Sequence, residues 1–360
     1  MIERDYDLLG ESGRRAVEIG LAAAEWYHTD VPRKEMVALM KRRDGPGIRD
    51  SILYYGAMVV LAAAGVFLWP GWWSVPFLLA YGVLYASGAD SRWHEAGHGT
   101  AFRTPWMNDV VYHVASFMLV RNPAIWRWSH TRHHTDTIVV GRDPEIITMR
   151  PPDIVRAMLL FVGLDSIRSF FKMFRYAVFG PNAAERSFVP EHEHWKVAVA
   201  ARIWIAIYAV VVLLAAYTGS ALPLLLVGGP VVYGSWHYVM TGLLQHTGLA
   251  DNVIDYRLNT RTVYMNPVSR FIYWNMNYHI EHHMFPMVPY YALPALHERI
   301  RHDLPEPIHS IIEGFGEVLH ALKRQLTDKE YRVRKALPET ARPYRTDLHA
   351  EALGLPSATA

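Results

Sequence analysis

The chain has 360 residues, of which 51% are hydrophobic and 19% are charged, and its formal net charge is +2. This net charge is too weakly positive for a nucleic-acid-binding protein, which needs a concentrated positive surface. Cysteine is absent and histidine occurs 19 times, which excludes disulfides, thiolate-bound metals, iron–sulfur clusters and a cysteine nucleophile.

The first fifty residues are predicted to form cytoplasmic helices. Residues 1–5 carry charges where a signal peptide needs an apolar core, so we expect no secretion signal. Two helix-like stretches lie between Gly10 and Arg43.

Two long segments without charged residues or histidine indicate membrane crossings. They span 51–89 and 203–236, and each is long enough for two helices of about 20 residues but not for three. A turn signal divides each segment, at Pro70 in the first and at Gly219 in the second. The sequence therefore predicts four transmembrane helices in two hairpins, at about 51–69, 73–89, 199–217 and 221–240.

Charge distribution predicts the orientation. Neither hairpin turn contains Lys or Arg, so the positive-inside rule places both termini and the long connections in the cytoplasm, in a bacterial-type inner membrane. Residues 154–179 have the pattern of a helix at the membrane interface, and a further amphipathic helix is expected near 308–322. The predicted organisation is an N-terminal cytoplasmic segment at 1–50, a membrane domain at 51–300, and a cytoplasmic C-terminal helix and tail at 301–360.

Histidines concentrate in three short clusters and at one further position. The first cluster has the pattern H-x-x-x-H and directly follows the second predicted crossing, and the other two clusters share the pattern H-x-x-H-H. A single histidine follows the fourth predicted crossing. The candidate metal ligands are His94, His98, His130, His133, His134, His246, His279, His282 and His283.

The spacing of these histidines favours a site for two metal ions. Helical positions i and i+4 share one face, whereas adjacent residues diverge by about 100°. An H-x-x-H-H turn can therefore direct imidazoles towards two neighbouring ions. Nine imidazoles are too many for one ion and suit two ions with about four to six ligands each. Zinc, iron, copper and nickel all accept imidazole, so spacing alone leaves the metal open.

The third cluster lies in the segment 277–286, Asn-Tyr-His-Ile-Glu-His-His-Met-Phe-Pro, which resembles the C-terminal signature of membrane fatty-acid desaturases and hydroxylases. The clusters at 94–98 and 130–134 match the first two histidine boxes of that superfamily in order and separation, and Gln245-His246 resembles its additional ligand. The resemblance spans about residues 50–300. The residues around the first two clusters resemble those of bacterial hydrocarbon oxygenases of the rhizopine-catabolism type more closely than those of acyl-CoA desaturases.

The resemblance implies an all-α membrane protein, with four transmembrane helices under a cytoplasmic helical cap that holds two irons. It also implies that dioxygen and two electrons are used to oxidise an unactivated C–H bond. The nine histidines named above would then be the iron ligands, although zinc can replace iron in a purified sample. Acceptors for their second ring nitrogens are expected among Glu95, Asp136, Asp143 and Glu281.

The electrons are expected from a separate ferredoxin or similar carrier with its reductase. The chain has no G-x-G-x-x-G after a strand and no cysteine for a cluster. A fatty-acyl or hydrocarbon-like substrate is expected to enter between aromatic side chains such as Trp126, Trp128, Tyr273 and Trp274. Membrane lipids are the other expected partners, and nucleic acid is not expected.

Alternative interpretations are left open at this point. The spacing of the first cluster also occurs in alkane and related hydroxylases, which favours hydroxylation without excluding desaturation. His94, Glu95 and His98 also fit the H-E-x-x-H pattern of zinc metalloproteases, in which the glutamate activates water. The same diiron chemistry could instead oxidise a small non-lipid metabolite. Whether His113 or His237 joins the site is not decided by the sequence.

Overall fold

The computed structural model describes residues 4–353. Residues 1–3 and 354–360, which belong to the predicted terminal segments, lie outside the described residues. The described part of the chain forms α-helices, short 3-10 turns, one π-helical segment and two isolated β-bridges, and it contains no strand. The predicted all-α class is confirmed for these residues.

Twenty α-helices follow one another along the described chain. Those of the N-terminal third are α1 (Glu11–Glu18), α2 (Arg33–Leu39), α3 (Asp44–Phe67), α4 (Ser74–Val83), α5 (Ala89–Gly97), α6 (Pro105–Met118) and α7 (Pro123–Thr135). Those of the middle third are α8 (Ile154–Phe161), α9 (Asp165–Phe179), α10 (Ala183–Arg186), α11 (His194–Thr218), α12 (Leu222–Leu226), α13 (Pro230–Tyr233) and α14 (Trp236–His246). Those of the C-terminal third are α15 (Tyr256–Asn259), α16 (Pro267–Ile272), α17 (His279–Met284), α18 (Leu293–Ile300), α19 (Ile311–Gln325) and α20 (Thr346–Leu353).

Two helical stretches of the described chain are long and apolar enough to cross a membrane, namely Arg33–Phe67 and Glu191–Thr218. They contain α3 and α11, the first members of the two predicted hairpins. Their apolar side chains are largely exposed, with Val60 at 67% and Val210 at 63%. An apolar surface of this extent is unusual in a soluble protein and is typical of contact with lipid.

The second members of the predicted hairpins differ from the expectation. In the first hairpin, α4 continues through a π-helical segment at Leu84–Gly88 into α5, so this helical stretch ends at Gly97 rather than at residue 89. The single helix predicted at 221–240 is wrong, because the chain there forms α12, α13 and α14 with breaks between them. Neither stretch meets the length and hydropathy criterion that α3 and α11 meet.

Backbone chemistry explains the broken segment. Gly228 has φ +84°, a left-handed conformation that ends α12 and that residues with a side chain rarely adopt. Pro230 begins α13, where its missing amide hydrogen has no helical partner to lose. At Gly234 the chain lies directly against the backbone of Gly82, which leaves no room for a Cβ. Mean hydropathy does not record the effect of these three residues on the path of the backbone.

The helices that flank the membrane segments are amphipathic, with one correction. The stretch 154–179 forms two helices rather than one, α8 and α9, because Gly163 between them has φ +70°. The amphipathic helix predicted near 308–322 is present as α19, which buries Val318 and Leu322. The predicted C-terminal tail contains α20.

A buried aromatic layer fixes α5, the helix that carries the first histidine cluster. Trp93 stacks on Tyr112 with 6.2 Å between ring centroids. The fully buried Arg92 guanidinium lies 3.8 Å from the ring centre of Tyr54 and donates a 2.9 Å hydrogen bond to the carbonyl of Ile272. These contacts connect α5 to α3, α6 and α16, so the position of His94 is determined by the core.

Candidate metal centre

The nine predicted histidines lie together in two groups. In each group one side-chain nitrogen per residue lies within 4.8 Å of all the others. The five-histidine group consists of His94, His98, His130, His134 and His282. The four-histidine group consists of His133, His246, His279 and His283.

Local helix geometry explains how the H-x-x-H-H turns divide between the groups. On α7, His130 and His134 are one helical turn apart and join the five-histidine group, while His133 joins the other. On α17 the division is reversed, since His279 and His283 share the four-histidine group and His282 crosses to the five-histidine group. Each turn therefore contributes to both groups, as the i, i+4 spacing predicts.

The separations between ring nitrogens are those of ligands around a common cation. The Nε2 atom of His130 lies 3.1 Å from Nε2 of His98 and 3.1 Å from Nε2 of His134, which lies 3.2 Å from Nε2 of His282. Nitrogen atoms bound to one metal at about 2.1 Å lie roughly 3 Å apart when they occupy adjacent positions. The five-histidine group therefore has the donor spacing that a metal ion requires.

The two groups are adjacent rather than separate sites. The rings of His134 and His283, one from each group, are stacked with centroids 4.3 Å apart. Within the four-histidine group, the rings of His133 and His283 have centroids 5.0 Å apart. Each of these two residues lies on the same helix as members of the five-histidine group. The arrangement is suited to two ions side by side.

Two carboxylates accept hydrogen bonds from the imidazoles of α7 and so fix the orientation of these rings. Asp143 accepts a 2.8 Å hydrogen bond from Nδ1 of His133, and Glu145 accepts a 3.0 Å hydrogen bond from Nδ1 of His130. A proton held on Nδ1 leaves the Nε2 lone pair of each ring free for a metal. Asp143 was predicted in this role. Glu145 was missed, although the signal was available in the Asp143-Pro144-Glu145 sequence shortly after the second cluster.

Neutral oxygen atoms orient two rings of the four-histidine group. The carbonyl oxygen of Asn259 lies 2.9 Å from Nδ1 of His246. Thr137 donates its hydroxyl proton to the carbonyl of His133 at 2.6 Å, so its oxygen is the acceptor for Nδ1 of His283 at 3.2 Å. Both contacts leave Nε2 as the ligand atom, and neither residue was identified from the sequence.

The other three predicted acceptors contact different partners. Asp136 pairs with Arg142 at 2.9 Å, and Glu281 accepts hydrogen bonds from Thr262 and His297. Glu95 accepts from the hydroxyl of Thr100 at 2.7 Å and from the amide of Tyr290 at 3.0 Å. None of these carboxylates is hydrogen-bonded to one of the nine histidines within the described chain. The prediction that these three carboxylates orient the ligand histidines through direct hydrogen bonds is therefore wrong.

Glu95 also bears on the metalloprotease alternative. In the H-E-x-x-H mechanism the glutamate activates a water at the metal. Here Glu95 lies outside both histidine groups, and burial raises the pKa of its carboxyl to about 7. Its contacts tie α5 to the loop at Tyr290 instead, so this geometry does not support the protease interpretation.

Burial keeps the ligand nitrogens unprotonated. It lowers the pKa of most of the histidines well below the ordinary value, and the neighbouring histidines add to the effect. This applies to His94, His98, His134, His246, His279, His282 and His283. Burial also lowers the pKa of His133, but Asp143 and Glu145 together outweigh this effect and raise it. Burial raises the pKa of Glu145, but His130 and His133 outweigh this and bring it to about 2.

Several buried ring nitrogens have no hydrogen-bond partner among the described residues. They include both nitrogens of His94 and Nε2 of His246. A buried polar group without a partner costs roughly 1–3 kcal/mol, and a metal ion would satisfy these atoms. Neutral imidazoles with hydrogen-bonded carboxylates behind them fit two divalent ions with nitrogen preference, such as iron or zinc.

Two further histidines lie outside both groups. His113 is exposed on α6, and His237 on α14 is buried with its Nε2 3.4 Å from the hydroxyl of Ser269. The described structure therefore gives nine candidate ligands and brings neither of these rings to them.

One cavity of ≈ 270 Å³ reaches both histidine groups. His94 and His130 line it from the five-histidine group. His133, His246 and His279 line it from the four-histidine group.

Of the four aromatic residues predicted to form an entry slot, Trp126 lines this cavity and the others do not. Trp274, for example, stacks on Tyr290 with ring centroids 4.1 Å apart. The aromatic slot is thus only partly as predicted.

An all-helical fold with exposed apolar helices and a largely buried nine-histidine cluster defines a membrane-associated metalloprotein candidate. The fatty acid desaturase family model matches residues 69–315, which is more than half of the chain. The chain therefore belongs to the fatty acid desaturase family, and it is an oxidoreductase. The narrower resemblance to bacterial hydrocarbon oxygenases stays a prediction.

Individual relatives are distant. The chain is 25% identical to an acyl-lipid omega-3 desaturase (cytochrome b5) of the endoplasmic reticulum of Arabidopsis thaliana, over 71% of this chain and 70% of the relative. It is 24% identical to a delta(12) fatty acid desaturase of Calendula officinalis, over 67% and 69%. It is also 24% identical to a chloroplastic sn-2 acyl-lipid omega-3 desaturase (ferredoxin) of Arabidopsis thaliana, over 68% and 60%.

Proposed function

We propose that this chain is a membrane-bound, oxygen-dependent diiron enzyme that hydroxylates or desaturates an unactivated C–H position of a fatty-acyl or hydrocarbon-like substrate. The observation that carries the proposal is the convergence of nine imidazoles, seven of them from buried residues, in two adjacent groups reached by one cavity. Membership of the fatty acid desaturase family supports the reaction class.

In this proposal each histidine group holds one iron through its ring nitrogens. Bound iron would supply the one-electron and dioxygen chemistry that no side chain of the protein can perform. Asp143 and Glu145 keep the Nδ1 protons of His133 and His130 in place, so that these rings present Nε2 to the metal.

The walls of the cavity bind and orient the substrate. Trp93, Leu119 and Val239 are buried and line it beside the histidines. Burying a hydrocarbon segment against such side chains contributes about 25 cal/mol per Å² of apolar surface. The same contacts exclude water from the carbon that is oxidised.

The proposed membrane placement has four crossings with the histidines on the cytoplasmic side. The two exposed apolar helices α3 and α11 support it. The continuous stretch from α4 into α5 and the broken stretch from α12 to α14 would complete two hairpins by packing against them. The division at 1–50, 51–300 and 301–360 and the bacterial-type inner membrane belong to the same proposal.

An external one-electron carrier is part of the proposed function. Two of the relatives carry cytochrome b5 or ferredoxin in their names, which supports a partner of this kind, with its own reductase. A basic surface near the N-terminus would attract an acidic carrier. Its residues are Arg14, Arg15, Arg33, Lys34, Lys41, Arg42 and Arg43.

Metal analysis and product mass together test the proposal. Protein purified from iron-replete cells should contain two irons per chain. With a ferredoxin system and dioxygen, it should convert an acyl chain into a product that has gained one oxygen or lost two hydrogens. The first outcome identifies hydroxylation and the second desaturation. One zinc per chain, or no oxidised product from any acyl or small apolar substrate tested, would overturn the proposal.

A further inference from the structure

The cavity that reaches the histidines is small. Its volume is ≈ 270 Å³. A cavity of about 150 Å³ holds a benzene molecule of six non-hydrogen atoms, so this one holds roughly eleven. The part of a substrate that lies inside the site is therefore much shorter than a complete long-chain lipid.

The carboxylates on the cavity wall are already paired with other groups. Asp90 pairs with Arg121 at 2.7 Å, and Glu145 accepts from His130 at 3.0 Å. Two more wall carboxylates are also paired. Asp165 pairs with Arg168 at 3.2 Å, and Asp251 pairs with Arg4 at 2.7 Å. Each of these carboxylates is therefore already engaged, and a further cation on the wall is only partly neutralised, by a longer contact.

Arg150 is such a cation. Its side chain is buried, at 6% exposure, and lines the cavity. One Nη donates to the carbonyl of Leu249, while Nη1 lies 3.7 Å from Asp251 and has no hydrogen-bond partner among the described residues. A buried guanidinium with an unused N–H group in a cavity wall is an anion-binding element, and it suits the planar geometry of a carboxylate.

Two neighbours strengthen this end of the cavity as an anion site. The phenol oxygen of Tyr6 accepts the backbone amide of Arg150 at 2.9 Å, which leaves its own O–H free to donate. Burial raises the pKa of this phenol, so the proton is retained. Arg156 also lines the cavity, forms no ion pair within the described chain, and has a buried Nε without a partner.

We infer that the substrate of this site carries a carboxylate, which Arg150 binds with support from Tyr6 and Arg156 while the attached apolar segment extends towards the histidines. The inference rests on the proposed function and adds the chemical class of the substrate. It assigns Arg150 as a specificity-determining residue for a compact acid of about ten non-hydrogen atoms.

Equilibrium binding of two matched probes tests this assignment. Octanoate and octanamide have the same number of non-hydrogen atoms and differ in charge. Both are titrated by calorimetry into the full-length protein in lipid nanodiscs, with and without loaded iron. The wild-type protein should bind octanoate at least about tenfold more tightly, because a hydrogen bond to a charged group is worth roughly 1.5–3 kcal/mol. Arg150→Gln should remove this preference with little change for octanamide, and Arg150→Lys should retain part of it.

Arg301→Gln is the matched control, because Arg301 is 64% exposed and pairs with Glu298 outside the cavity. Equal affinity of the wild-type protein for the two probes would overturn the inference, and that comparison stands even if the Gln variant does not fold. A preference that persists in folded Arg150→Gln would also overturn it. Binding requires no turnover, so failure of the iron or product assays would be distinguishable from failure of this assignment.

Discussion

The hydrogen bonds around Asp143 allow the effects of one substitution on stability and on iron affinity to be worked out. Its carboxylate is buried and accepts three hydrogen bonds of 2.8 Å, from Nδ1 of His133, from the amide of Ile138 and from the amide of Glu145. In Asp143→Asn the remaining oxygen can keep the first two donors, which share one carboxylate oxygen. The new NH₂ group then faces the amide of Glu145, which loses its acceptor.

The expected cost has two parts. A buried donor without an acceptor destabilises the protein by about 1–3 kcal/mol, which is less than the roughly 5–15 kcal/mol that stabilises a typical fold. Asp143→Asn should therefore remain folded. Because His133 loses its ionic acceptor, iron affinity should fall about 10–100-fold, the usual effect of replacing a partner of a metal-bound histidine.

Chelator competition measures the iron affinity, and denaturant unfolding measures the stability. Asp109→Asn is the control, since Asp109 is 61% exposed and its ion pair with Arg127 is 3.6 Å long. This control should change stability by less than about 0.5 kcal/mol and leave iron affinity unchanged. If folded Asp143→Asn binds iron as tightly as the wild type, the proposed role of the His133–Asp143 hydrogen bond is refuted.

Three further outcomes are expected. His282→Ala should lower the iron content below two per chain while membrane insertion is retained, whereas His113→Ala should leave the iron content unchanged; equal iron in both variants would contradict the ligand assignment. Gly234→Ala should lower the thermal midpoint, because its Cβ would overlap the backbone of Gly82 at a cost of about 1–3 kcal/mol. Gly316→Ala on α19 meets no atom within 4 Å and should stabilise by about 0.5–1 kcal/mol, and a reversed order of the two midpoints would show that the close contact is absent. Removing iron with a chelator should lower the midpoint, since free metal at 100 times its Kd stabilises by about 2.7 kcal/mol; an unchanged midpoint would argue against a site coupled to folding.

The histidine clusters and the first helix of each hairpin were predictable because both depend on local pattern. Residues three or four apart share one face of a helix whereas adjacent residues diverge, so the split of His133 and His134 between the two groups follows from their spacing. An uninterrupted apolar run such as that in α11 likewise predicts a long helix. The broken stretch from α12 to α14 was missed because hydropathy outweighed the turn chemistry of Gly228 and Pro230.

The sequence alone indicated the kind of donor and the number of candidate donors, since absent cysteine and the histidine clusters leave few alternatives. How the donors divide between the two groups, with His282 joining the histidines of α5 and α7, was decided by packing. Tertiary structure decided which oxygen atoms face those donors. Glu145 and Asn259 are 15 and 13 residues from the histidines they contact, and Glu95 contacts Tyr290, 195 residues away. Contacts of this kind arise when separate helices pack and the chain between them turns back, and no local spacing encodes that path. The same packing brought Arg150 to the wall of the cavity beside the histidines.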